Sequence, residues 1–177
     1  SPNFDGRAGQ EIDMLVLHYT GMESLESAVA RLIDPNAKVS AHYLITRSGD
    51  VIRMVDENNR AWHAGVSYWR GATNINARSI GVEIENPGHD FGYGLFPKVQ
   101  MDAVIQLCKD ILKRHSIPNR NVVGHSDVAP SRKMDPGELF DWQWLARCGI
   151  GVWPDLADPL RPGENFVIKT ALKEIGY

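Results

Sequence analysis

The apolar positions of this chain change period several times, and each period predicts an element. "DMLVLHYT" (13–20) is a short apolar run ending in polar residues, which predicts a buried strand. "SLESAVARLIDP" (24–35) predicts a helix that stops before Pro35. "AHYLITRSGDVIRMV" (41–55) holds apolar runs on either side of Ser48-Gly49-Asp50, the pattern of a hairpin. "SIGVEIEN" (79–86) alternates cleanly, with Ile80, Val82 and Ile84 on one face and Gly81, Glu83 and Glu85 on the other. The strongest helix is "PKVQMDAVIQLCKDILKRHSI" (97–117), where Met101, Val104, Ile105, Cys108, Ile111 and Leu112 form one stripe. Asp110 and Arg114 stand at i,i+4 on it, a spacing suited to an ion pair.

"NVVGH" (121–125) predicts a short strand, "DWQWLARCG" (141–149) a brief helix ended by Gly149, and "NFVIKTALKEIGY" (165–177) a final amphipathic helix. Between the predicted hairpin and the alternating strand, residues 57–78 hold Trp, Tyr and Asn with little periodicity, and long segments of this kind are often functional. Strands and helices interleave without regular βαβ spacing. The expected fold class is mixed α/β: a central, mostly mixed sheet flanked by helices.

Composition narrows the class. At 177 residues the chain suits one domain with a short appendage. Its 43% hydrophobic and 23% charged residues are ordinary for a globular protein. The net charge of -3, with Lys and Arg spread along the chain, argues against a nucleic-acid binder. No apolar run reaches the length of a membrane span. Cys108 falls on the apolar side of its helix and reads as a core residue; with Cys148 it makes no disulfide framework. No signal peptide is legible at Ser1, which says little about compartment.

The polar residues that remain suggest a metal site. His18 and His125 each end a predicted strand, and Asp135 lies in the loop "GHSDVAPSRKMDPG" (124–137). Two His and one Asp make a sound three-ligand set for Zn²⁺ with a fourth position left for water. There is no HExxH, so this is not a helix-borne zinc peptidase site. A zinc hydrolase also needs a base, and Glu83 is the candidate, with Glu85 on the same strand face as its competitor. Lys133, two residues before Asp135, could meet the negative oxygen of a tetrahedral intermediate; in an extended segment Arg132 would point away.

"VLHYT", "VSAHYLI", "AWHAG", "SIGVEIEN" and "GHSDVAPSRKMDPGELFDW" stand in the order found in the zinc-dependent N-acetylmuramoyl-L-alanine amidases, and over roughly residues 1–155 the chain resembles that family. The family shares its fold with peptidoglycan-recognition proteins and phage lysozyme-amidases. The resemblance implies a zinc site on the open side of the sheet, one Zn²⁺ per chain. It implies hydrolysis of the amide between the lactyl group of N-acetylmuramic acid, or its 1,6-anhydro form, and L-Ala of the stem peptide. By position it makes His18, His125 and Asp135 the metal ligands, Glu83 rather than Glu85 the catalytic glutamate, and Lys133 the transition-state lysine. It puts His63, with Trp62 and Trp69, against sugar or peptide, and leaves His42 structural.

The segments "YWRGATNINARSIGVEIEN" and "GIGVWPD" look more like the envelope branch of the family, which accepts intact and anhydro forms, than like the cytosolic recycling branch. Tyr19, where that recycling branch usually has Asn, points the same way. The expected compartment is therefore the bacterial cell envelope on its periplasmic side, with the cytoplasm as the alternative. The expected partner is peptidoglycan or a muropeptide, handled by a monomer. Residues 1–155 would form the catalytic domain, and 156–177 a linker and the first helix of a peptidoglycan-binding module. The competing reading is a recognition module without catalysis, but such relatives typically lack a zinc ligand, and here all three positions are filled.

Overall fold

The structure, a computed structural model, describes residues 1–154. The expected helix over 165–177 and the expected domain boundary at 155/156 lie outside the described residues.

The main sheet contains β2 (Met14–Tyr19), β3 (Tyr43–Ile45), β4 (Val51–Arg53), β6 (Ser79–Ile84) and β7 (Val122–Gly124), in the order β4-β3-β6-β2-β7. β2 runs parallel to both β6 and β7, and β3 parallel to β6; only β4 pairs antiparallel, through the expected hairpin. The sheet is therefore mixed, as the sequence predicts. A second, two-stranded sheet joins β1 (Phe4–Gly6) to β5 (Asn59–Ala61). The helices are α1 (Leu25–Ile33), α2 (Ile75–Arg78), α3 (Lys98–Arg114), α4 (His125–Val128) and α5 (Trp142–Arg147).

β2 is apolar on both faces because both faces are covered, as is usual for parallel strands. Leu15 and Leu17 pack with Ile80, Val82 and Ile84 of β6 against the α3 stripe of Met101, Val104, Cys108 and Ile111. Met14 and Val16 face the other way, into a cluster with Trp69, Ile75, Val123 and Val128. Each fully buried Leu or Ile here contributes roughly 1.5–3 kcal/mol. α1 begins at Ser24, whose side chain accepts from the Ser27 backbone N–H, and it lays Ala28 and Leu32 on Leu44 of β3. So α3 seals one face of the sheet, while α1 and the 59–78 segment cover the other only in part, and the site lies on that second face.

Two expectations need correction. Arg114 does not pair with Asp110; its guanidinium binds Glu57 at 2.6 Å, and Asp110 accepts instead from Gln106. Glu57 also accepts from Tyr43 and His115, and so offers Arg114 a half-enclosed anion where Asp110 offers a solvated one. Arg132 does not point away either. Its Nη2 donates to the carbonyls of Ala64 and Val66 at 2.9 and 2.7 Å. Residues 130–132 form a turn, with the Arg132 and Lys133 N–H groups both donating to Ala129, so alternation along an extended chain does not apply.

Candidate active site and metal centre

Parallel strands point their carboxyl ends to one edge, and loops at that edge are where sites form in such sheets. His18 lies near the end of β2, in register with Glu83 near the end of β6. His125 directly follows the last residue of β7 and opens α4. The chain then turns through the loop singled out above and brings back Asp135. Three side chains far apart in sequence thus converge because three adjacent strands are parallel.

The convergence is tight. His18 Nδ1 lies 2.9 Å from His125 Nδ1 and 2.9 Å from Asp135 Oδ2, and His125 Nδ1 lies 3.1 Å from that oxygen. His18, His125 and Asp135 are 1%, 3% and 5% exposed, so the cluster is shielded from bulk solvent. Tetrahedral zinc with bonds of about 2.0–2.1 Å sets its ligand atoms roughly 3.3 Å apart, a few tenths wider than this triangle. Two nitrogens and a carboxylate at that spacing are a donor set that could hold a divalent ion. The outer ring nitrogens are engaged as well: His18 Nε2 meets His63 Nδ1 at 3.0 Å, and His125 Nε2 donates to the Ala64 carbonyl at 3.0 Å.

The electrostatics suit a cation. Burial, and next the neighbouring His125, push His18 down to about 4, against the pull of Asp135. Burial alone would raise the Asp135 carboxyl, but the His125 and His18 rings against it outweigh burial and hold that carboxyl well below the usual range. A neutral His18 imidazole beside an ionised Asp135 carboxylate matches the protonation states that metal ligation requires.

Glu83 and Lys133 line the same cleft, a cavity of about 140 Å³. Glu83 Oε2 is shielded from solvent and has no hydrogen-bond partner among the described residues. Burial first, and Asp135 second, raise its carboxyl well above the ordinary value, with Lys133 opposing. Glu85, the competing candidate, is occupied elsewhere: its Oε2 accepts the Arg47 backbone N–H at 2.7 Å. Ala28, Arg31 and Leu32 of α1 form one wall of the cleft.

The expected substrate contacts divide. Trp62 lines the cleft and is only partly buried. His63 is on the cleft floor but is 9% exposed, and its ring nitrogens are taken up by His18 and Ser79. Trp69 is 4% exposed, packs with Met14, Val16 and Ile75, and donates its indole N–H to Asn121. It belongs to the core of that face rather than to the cleft around His18. His42 is buried, bound through Nδ1 to the Gly81 N–H, and outside the donor triangle, as expected. The sequence reading missed Ser79 and Asn76, both buried beside His63. The one available signal was that Ser79 opens the strand face shared by Gly81 and Glu83.

Comparison with known proteins finds matches to one enzyme family. The family model described as N-acetylmuramoyl-L-alanine amidase matches residues 8–138. N-acetylmuramoyl-L-alanine amidase AmiD of Escherichia coli is 46% identical over 156 residues, covering 81% of this chain and 55% of AmiD. The 1,6-anhydro-N-acetylmuramyl-L-alanine amidase AmpD of Haemophilus influenzae is 35% identical over 162 residues, covering 81% of this chain and 86% of AmpD. The solved complex of E. coli AmiD with anhydro-N-acetylmuramic acid-L-Ala-D-gamma-Glu-L-Lys superimposes with a TM-score of 0.82 at 38% identity, over 100% of this chain and 74% of that one. The chain thus spans about half the length of the AmiD sequence that it matches.

Proposed function

The chain belongs to the N-acetylmuramoyl-L-alanine amidase family, and from that membership we propose that it hydrolyses the amide joining the lactyl group of N-acetylmuramic acid, or its 1,6-anhydro form, to L-Ala of the stem peptide. One Zn²⁺ would be held by His18 Nδ1, His125 Nδ1 and Asp135 Oδ2. The observation that carries the reading is their mutual spacing of 2.9–3.1 Å beside an uncommitted Glu83 carboxylate oxygen. Two imidazoles and a carboxylate suit zinc, and a set of three rather than four protein ligands is that of a catalytic site. When bound, zinc supplies Lewis acidity, polarising a carbonyl oxygen and acidifying water.

The protein's own groups do the rest. Glu83 takes the proton of the attacking water on Oε2 and passes it to the departing L-Ala nitrogen. Glu83 stands in register with His18 on the adjacent strand, and its Oε2 has no competing hydrogen-bond partner among the described residues, which leaves it free to accept. Lys133, which lines the same cleft, donates from Nζ to the oxygen that becomes negative in the tetrahedral intermediate. Trp62 offers a flat apolar surface for the sugar ring or peptide.

Greater identity with AmiD than with AmpD, 46% against 35%, supports acceptance of sugars beyond the 1,6-anhydro form, and with it the envelope side as the place of action. No described helix is long and apolar enough to cross a membrane.

Mass spectrometry of the products from sacculi and from anhydro-muropeptides, with and without chelator, tests the reading. Free stem peptides released from both, and lost on chelation, are expected. Zinc binding without release of peptide would instead favour a recognition module.

A further inference from the structure

Beneath the donor triangle lies a chain of hydrogen bonds whose direction can be read from its far end. The Ser79 hydroxyl has one proton, and it donates that proton to the Ile75 carbonyl at 2.7 Å, an oxygen that can only accept. Toward His63 Nε2, 3.1 Å away, Ser79 Oγ therefore accepts. His63 carries its proton on Nε2. The groups that its two ring nitrogens meet are an imidazole and a hydroxyl, neither of them an anion, and a buried cation without a counter-charge is costly, so the ring is neutral. Its Nδ1 is then a bare acceptor, and the His18 Nε2 facing it at 3.0 Å is a donor. A neutral His18 with its proton on Nε2 then keeps Nδ1 as a lone pair toward the triangle.

His125 arrives at the same state by another route, since its Nε2 donates to the Ala64 carbonyl at 3.0 Å. One side chain holds both supports in place. Asn76 Oδ1 accepts the backbone N–H groups of His63 and Ala64, at 3.1 and 2.7 Å. Gly81 makes room: a Cβ there would lie 2.4 Å from the His63 ring.

We propose that His63 is a positioning residue for the metal centre, holding His18 in the Nε2–H tautomer so that its Nδ1 lone pair faces the ion, with Ser79 and Asn76 fixing His63 in turn. The "AWHAG" stretch is then the outer frame of both imidazoles, through the His63 ring and the Ala64 carbonyl, rather than a substrate contact. The inference rests on the zinc reading above. Outer partners of metal-bound His usually do this work, and losing one typically costs about 10–100-fold in metal affinity.

The test measures zinc affinity by chelator competition and the His18 tautomer by ring-nitrogen NMR of the metal-free protein. His63→Ala is expected to weaken zinc binding about 10–100-fold and to release His18 into a mixture of tautomers. His63→Asn, whose Oδ1 can stand where Nδ1 stood, is expected to restore both within about threefold of the parent. Parental zinc affinity and an unchanged His18 tautomer in His63→Ala would overturn the proposal, as would an Asn variant as weak as Ala. Ser79→Ala reads the same chain should His63→Ala fail to fold: weaker zinc binding supports the relay, and parental binding overturns it. His18→Ala separates the two levels, because zinc bound there as tightly as in the parent would sink the metal site itself.

Discussion

Replacing Glu83 by Gln keeps the shape of the side chain and removes its charge, and the structure gives that change two effects of opposite sign. Turnover should fall by about 10²–10⁴, the range for loss of a positioned general base, equivalent to roughly 3–5 kcal/mol of barrier. Stability of the chelator-treated protein should rise. The Glu83 carboxyl is raised above its ordinary 4.5 by burial first and Asp135 second. Such a group binds its proton more tightly folded than unfolded, so its ionised form costs the fold stability as pH rises above 4.5. An unpaired buried polar atom costs roughly 1–3 kcal/mol, and Gln still leaves one; removing the charge recovers about 1 kcal/mol, or ~2–4 °C in Tm for a chain of this size. The gain should be largest at neutral pH and vanish below pH 4.5, where Glu83 is protonated in both states. Peptide release from a muropeptide, zinc content and thermal melts between pH 4 and 8 read all three quantities. Turnover within about threefold of the parent would refute the base assignment. Loss of zinc along with activity would show that Glu83 supports the ligands instead.

Lys133→Ala should lower kcat by about 10²–10³ with zinc retained, and a change confined to KM would count against its role at the developing oxyanion. Gly81→Ala should weaken zinc binding although residue 81 is no ligand, because the added Cβ would sit 2.4 Å from the His63 ring; chelator competition measures it, and unchanged affinity would contradict the packing. Burial would raise the Glu57 carboxyl, but Arg114, Tyr43 and His115 outweigh it and bring it down to about 2. That depressed carboxyl contributes stability above pH 4.5 that is lost as pH falls toward 2. Glu57→Gln should therefore melt below the parent at pH 7 and converge with it near pH 2, and equal melting temperatures at pH 7 would rule this out.

Much of this architecture is legible in the chain because period and position suffice for it. β2, β6 and α3 each carry an uninterrupted apolar pattern, and His18 and His125 stand at strand ends where a parallel sheet gathers its loops. The residues 57–78 are a different matter. β5 is three residues long and exists because it pairs with β1 more than 50 residues away, a contact that no local pattern encodes. Trp69 stands in a stretch of little periodicity and is expected against sugar or peptide, yet the neighbouring α2 and the Met14–Val16 face of β2 enclose it. The surroundings of His63 and Arg114 escape the sequence for a related reason. Each side chain's partner is decided by a buried group distant in sequence, His18 for one and Glu57 for the other, while spacing along the chain shows only the solvated alternatives.

The central claim is that one zinc ion sits among His18, His125 and Asp135. Anomalous diffraction at the zinc edge, from crystals of the zinc-loaded protein, tests it most directly. A single strong peak is expected about 2.0–2.2 Å from His18 Nδ1, His125 Nδ1 and Asp135 Oδ2. A map with no peak among those three atoms, from protein that still releases stem peptides, would contradict it.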